Sequence, residues 1–165
     1  MSSERAWLSL GSNIEPEQHL RAALADLRAR YGAIVVSPAY RTRAVGFDGP
    51  DFVNLAVGID TDEAPEALDA WLHELEARHG RVRGPSRFAS RTLDADIVLF
   101  GDRILHGPGH LEVPRAELVK HAFVLRPMVD VAPGLVHPQL RKTLAELWRV
   151  FEGDRQSICD TVDIS

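Results

Sequence analysis

The run RTLDADIVLF, residues 91–100, constrains this chain more than any other stretch, because Leu93, Ala95 and Ile97 alternate with Asp94 and Asp96. Alternation of that period predicts a β-strand with one apolar face and one face carrying both carboxylates. Aspartate is disfavoured inside strands. Two like charges a few ångströms apart also repel, unless one is protonated or a cation lies between them. Any fold containing this strand must cover one face with core and give the other a reason to be acidic.

The flanking segments supply the frame. AWLSLGSN (6–13) predicts a strand ending in a turn, followed by a helix with Ser12 or Asn13 near its cap and Pro16 in its first turn. Leu20, Leu24, Leu27 and Tyr31 then recur at the spacing of one buried helical face, and Gly32 suits the stop. Strands are predicted over 33–42 and 52–60, separated by a Gly/Pro/Asp-rich loop over 43–51. A second helix is predicted within 61–80, with Leu68, Leu72 and Leu75 inward and Arg78, His79 and Gly80 at its end. After the aspartate strand come hairpin or strand pieces over 103–113, a short helical stretch after Pro114, an apolar segment over 122–133 and a helix over 143–151. The tail beyond Gly153 is expected to be partly ordered at best.

The order β-α-β-β-α-β predicts an α+β protein with a ferredoxin-like core, an antiparallel sheet flanked by helices and a C-terminal extension. The 165 residues are expected to form a single domain. That architecture hosts enzymes, regulatory modules and RNA binders alike, so function must come from the residues.

A net charge of −5 argues against a general nucleic-acid binder. The first residues show no secretory pattern, and no apolar run approaches the ~20 residues of a membrane span. The single cysteine, Cys159, fits a reducing compartment, so a cytoplasmic protein with no membrane or nucleic-acid partner is expected. Of the 19 basic residues only Lys120 and Lys142 are lysines, and Arg78, Arg81, Arg83, Arg87 and Arg91 follow one another with no acid between. P-loop, G-x-G-x-x-G, zinc-ligand and G-x-S-x-G patterns are missing from the sequence. Carboxylates suit Mg²⁺ accompanied by substrate phosphates, and arginine forks suit phosphate oxygens. Together they describe a phosphoryl-transfer site built without a P-loop.

The run R-x-A-S-R-T-L-D-x-D-I from Arg87 to Ile97 resembles the signature of the 6-hydroxymethyl-7,8-dihydropterin pyrophosphokinases of folate biosynthesis. LGSN (10–13), Y-R-T (40–42), F-V-N (52–54), the run from Glu76 to Arg83, and V-P (113–114) match in the same order. The resemblance covers roughly residues 6 to 150. It implies transfer of pyrophosphate from ATP to the hydroxymethyl group of the pterin, releasing AMP, in a protein expected to act as a monomer on small molecules.

By that resemblance Asp94 and Asp96 hold two Mg²⁺ ions. Arg81 and Arg91 engage the phosphates during transfer, with Arg83 and Arg87 in support. ATP is met by His73, Glu76, Ile97, His110, Leu111, Glu112, Arg115 and His121. The pterin lies between Phe52 and Phe123, with Asn54 at its polar edge and Thr42, Arg43 and Val45 completing the pocket. Read without the family, Phe52 and Phe123 are core positions. Asn54 then either caps a turn or reads a ligand, and His73, His110 and His121 are surface histidines. The sequence departs from the family pattern at Ala95, Phe88 and Gly84. Arg115 also stands where a histidine is usual. A divergent paralogue with another pterin-like acceptor, or a non-catalytic ligand-binding module, is the alternative reading.

Overall fold

A computed structural model describes residues 3–44, 49–80 and 92–164 of the chain. Strands β1 (Glu4–Ser12), β2 (Val35–Val36), β3 (Ala39–Thr42), β4 (Phe52–Thr61), β5 (Asp94–Phe100) and β8 (Ile158–Val162) form one sheet. The order is β5-β1-β4-β3-β8, with β2 also on β4, and every pairing is antiparallel. The short strands β6 (Leu105–His106) and β7 (Glu112–Val113) make a separate ribbon.

Strand alternation divides the sheet into two unlike faces. Leu8, Leu10, Val53, Leu55, Val57, Ile59, Ala95 and Ile97 point to one side, where they form the main core with α1 (Pro16–Tyr31) and α2 (Pro65–Arg78). Leu20, Leu24 and Leu27 of α1 and Leu68, Leu72 and Leu75 of α2 complete that core, as their spacing predicts. Each such leucine contributes about 2 kcal/mol by leaving water. On the other side Trp7, Ala56 and Val98 meet a 3-10 turn (Ala116–Val119), α3 (Ala122–Val131) and α4 (Leu144–Arg149), with Leu118, Leu125, Met128 and Leu144 buried between them. Asp94 and Asp96 belong to this second face.

Three local expectations are corrected. The residue before α1 is Glu15 at φ 45°, and neither Ser12 nor Asn13 caps the helix. The Asn13 amide instead donates to the Pro50 carbonyl. The strand predicted over 33–42 divides into β2 and β3 around Ser37-Pro38, because a proline has no N–H for the ladder. Ser37 bridges the gap: its N–H donates to the Ala56 carbonyl at 2.9 Å and its hydroxyl accepts from the Ala56 N–H at 2.8 Å. The tail is structured, since β8 pairs with β3 and Ile164 is buried in the main core. Arg21 of α1 fastens it by donating to the Ile164 carbonyl.

α3 carries Pro127 within it. α4 starts with a capping box in which Thr143 Oγ1 accepts from the Glu146 N–H and Glu146 reaches back to the Thr143 N–H.

Candidate active site

The register of the sheet places the polar residues in rows. Tyr40, Asn54, Gly11 and Asp94 lie opposite one another on β3, β4, β1 and β5, so their side chains share the second face. Ser9 and Asp96 belong to the next row, beside Ala56. Asn54 is buried, and its Nδ2 donates to the buried Thr42 hydroxyl at 2.8 Å. Gly11 makes room for that amide. A Cβ at position 11 would sit 2.4 Å from Asn54 Oδ1, closer than any side chain tolerates. The sequence thus brings the F-V-N, Y-R-T and L-G-S-N motifs onto one small patch of sheet.

β5 is the edge strand beyond β1, and the outer backbone there needs partners. Glu76, buried at the end of α2, accepts the Ala95 N–H on Oε2 at 2.8 Å. The peptide between the two aspartates is therefore gripped from α2, which fixes how the carboxylates stand. Burial first, and the nearby Asp94 after it, push the Asp96 carboxyl up to about 8 against the opposing pull of Arg115.

Arg115 follows Pro114 and leaves β7 with its N–H on the Val98 carbonyl at 2.9 Å. Its Nη2 lies 3.7 Å from Asp96 Oδ1, and its Nε donates to Glu117 Oε1 at 2.7 Å. Burial disfavours the guanidinium charge, but Asp96 and Glu117 outweigh it and hold the pKa above its ordinary value.

The other expected residues are distributed around this centre. Arg81, Arg83, Arg87, Arg91 and Val45 lie outside the described residues. Ile97 and Leu111 are buried in the main core. Glu112 supports the 3-10 turn by accepting the Ala116 N–H. His73 on α2 and His110 between β6 and β7 stand together, their ring centroids 4.8 Å apart. His121 stacks on Phe123 at 5.0 Å, and Phe123 packs against the second core. Phe52 is half-buried at the start of β4, and the Arg43 N–H donates to the Ser157 carbonyl.

Sequence reasoning missed Asp154. Its carboxylate takes the His121 Nδ1 at 3.0 Å and the Ala122 N–H at 2.7 Å, so it both orients the imidazole and receives the first turn of α3. No local signal marks it, because the residues it serves are more than thirty positions away.

The donor set fits a divalent cation. Asp94 and Asp96 offer hard oxygen atoms on one face. The half-buried Asp96 carboxyl, raised first by desolvation and then by Asp94, is a group whose charged form a cation would favour.

Paired carboxylates beside an arginine, on the polar face of a helix-flanked antiparallel sheet, define an α+β protein equipped to handle a cation and the anions that accompany it. The chain belongs to the 7,8-dihydro-6-hydroxymethylpterin-pyrophosphokinase family, whose family model matches residues 7–133. It is 42% identical over 158 residues to the 2-amino-4-hydroxy-6-hydroxymethyldihydropteridine pyrophosphokinase of Pseudomonas aeruginosa, covering 91% of this chain and 94% of that one. It is 35% identical to the Synechocystis enzyme of the same name, covering 86% of this chain and 73% of the relative.

Among solved structures, a Plasmodium falciparum HPPK-DHPS with pterin and p-hydroxybenzoate shares the fold at a TM-score of 0.70 and 15% identity. That match covers 89% of this chain and 43% of the longer protein.

Proposed function

We propose that the chain transfers the pyrophosphoryl group of ATP to the hydroxymethyl oxygen of 6-hydroxymethyl-7,8-dihydropterin, giving the pterin diphosphate and AMP. The observation that carries the reading is the same-face pair Asp94 and Asp96, gripped by Glu76 and faced by Arg115. Family membership supports reading the pair as part of a pyrophosphoryl-transfer site.

In this reading the two aspartates hold two Mg²⁺ ions, which when bound neutralise charge on the ATP phosphates. The substrate hydroxyl forms the new bond to the β-phosphorus. The bond from that phosphorus to the oxygen it shares with the α-phosphorus breaks, AMP leaves with that oxygen, and the hydroxyl proton is released to water. Chain groups act by positioning and by offsetting charge, which supplies most of the rate in such transfers. Arg81 and Arg91 meet the phosphates, with Arg83, Arg87 and Arg115 in support. His73, Glu76, Ile97, His110, Leu111, Glu112 and His121 surround the nucleotide.

The pterin takes the patch formed by Thr42, Arg43, Val45, Phe52, Asn54 and Phe123. A flat heterocycle needs an aromatic face and a fixed polar edge. The Asn54 amide, held by Thr42, supplies such an edge. The strand order β5-β1-β4-β3 with crossover helices on one face supports the ferredoxin-like reading, extended here by β8. One cytoplasmic, monomeric domain completes the proposal. Among the described residues no helix is long and apolar enough to cross a membrane.

The test is AMP release from ATP and Mg²⁺ with and without the pterin, followed by phosphorus NMR of the product. Pterin-dependent AMP with a pterin diphosphate is the expected result. ADP as the product, or AMP indifferent to the pterin, overturns the assignment.

A further inference from the structure

A second group of metal-ligating side chains stands apart from the carboxylate pair. α2 presents Asp69 and His73 on one face at i and i+4. The connection between β6 and β7 brings His110 against them. Asp69 Oδ1 lies 3.7 Å from His73 Nε2 and 3.5 Å from His110 Nε2. One ligand atom from each of the three residues falls within 4.8 Å of the others. Asp69 and His73 are half-buried, while His110 is exposed.

These separations exceed a hydrogen bond, yet they suit a shared cation. Bonds of ~2.0–2.2 Å from one tetrahedral ion to imidazole nitrogen and carboxylate oxygen place neighbouring ligand atoms ~3.4 Å apart. Both imidazoles bring Nε2 to the same carboxylate oxygen, so a small closure completes the geometry. Imidazole selects zinc, cobalt, nickel or copper and is a poor ligand for Mg²⁺. Two histidines with one carboxylate leave a fourth position for water, and the exposure of His110 provides entry.

We propose that Asp69, His73 and His110 form a binding site for a divalent transition cation of the zinc class, ligated by the two Nε2 atoms and a carboxylate oxygen. Its chemistry differs from that of the all-carboxylate pair on β5. Because the proposed function places His73 and His110 beside the nucleotide, the cation belongs to the nucleotide-free chain, with ATP as a competitor. Occupancy ties the β6–β7 connection to α2 one turn before Glu76.

The full chain, in a large excess of Mg²⁺ to fill carboxylate sites, is titrated with Zn²⁺ and separately with Co²⁺. One cation per chain is expected, and the cobalt form should show the visible absorption of a four-coordinate nitrogen–oxygen site. His110→Ala and Asp69→Asn should each weaken binding by ~10-fold or more. His19→Ala serves as the control, because His19 Nδ1 lies 2.8 Å from His79 Nδ1 and forms the competing histidine pair. It should bind as the wild type does. Circular dichroism checks that each variant folds, and the exposed position of His110 keeps at least that variant interpretable. Absence of saturable Zn²⁺ binding overturns the site. So does wild-type affinity in both His110→Ala and Asp69→Asn, or a loss confined to His19→Ala.

Discussion

Arg115 holds its guanidinium 3.7 Å from the Asp96 carboxylate while its Nε donates to Glu117 at 2.7 Å. One arginine therefore serves two acids, and Asp94 adds a third negative group nearby. This gathering of carboxylates around Arg115 governs what substitutions at the centre should do.

Asp96→Asn should lower turnover by on the order of 10³-fold or more, through loss of a charged oxygen where charge must be offset. It should also stabilise the magnesium-free protein at high pH. Because the folded pKa of Asp96 is raised, its contribution is complete below the ordinary aspartate range and is lost as pH rises through about 8. Urea unfolding without Mg²⁺ should show wild-type stability declining toward alkaline pH and the variant declining less. A variant equally active at saturating Mg²⁺ would remove Asp96 from the site.

Arg115→Met removes a cation that donates to the half-buried Glu117 at 2.7 Å and the charge that restrains Asp96. Stability should drop by about 1–3 kcal/mol in chemical denaturation. Adding Glu117→Gln should recover part of that loss, since the Arg115–Glu117 contact is then no longer a broken ion pair. Additive losses in the double variant would contradict the pairing.

Gly11→Ala forces a methyl group to within 2.4 Å of Asn54 Oδ1. The amide must swing away from Thr42, so pterin affinity measured by fluorescence should fall ~10-fold or more, while stability drops by about 1–3 kcal/mol. Unchanged pterin affinity would show that the Asn54 edge is not read by the substrate.

Glu76 separates a hydrogen-bonding role from a charge role. Glu76→Gln keeps an oxygen for the Ala95 N–H and should fold with nearly wild-type stability. Glu76→Leu strands that buried donor and should cost about 1–3 kcal/mol. Thermal midpoints of the two variants distinguish the cases, and equal midpoints would mean the Ala95 contact contributes nothing.

Much of the frame was legible because it rests on periodicity. The leucine stripes of α1 and α2 and the alternation around Asp94 and Asp96 are local patterns, and the core they predict is the core observed. What stayed hidden depends on distance along the chain. The grip of Glu76 on Ala95, the Asp154 support of His121 and the Arg115–Asp96 approach each join residues that no sequence window contains. β8 escaped notice for a related reason: its side chains are mostly exposed, and its place is set by β3 rather than by its own composition. Glu15 holds the helix-start position with φ 45°, while the Asn13 amide reaches across the loop to Pro50.

The pairing of β8 with β3 bears on how the molecule acquires its shape. Arg41 meets Asp160 across 119 residues, so this seam has very high contact order. The outer edge of β3 has no strand beside it until residues 158–162 have been synthesised, and during translation it is an open template for any other extended chain. Thr42, which steadies Asn54, lies on that same strand. On the proposed function the pterin patch therefore borders the last strand to be made, and an emerging chain carries its aspartate strand long before it carries β8.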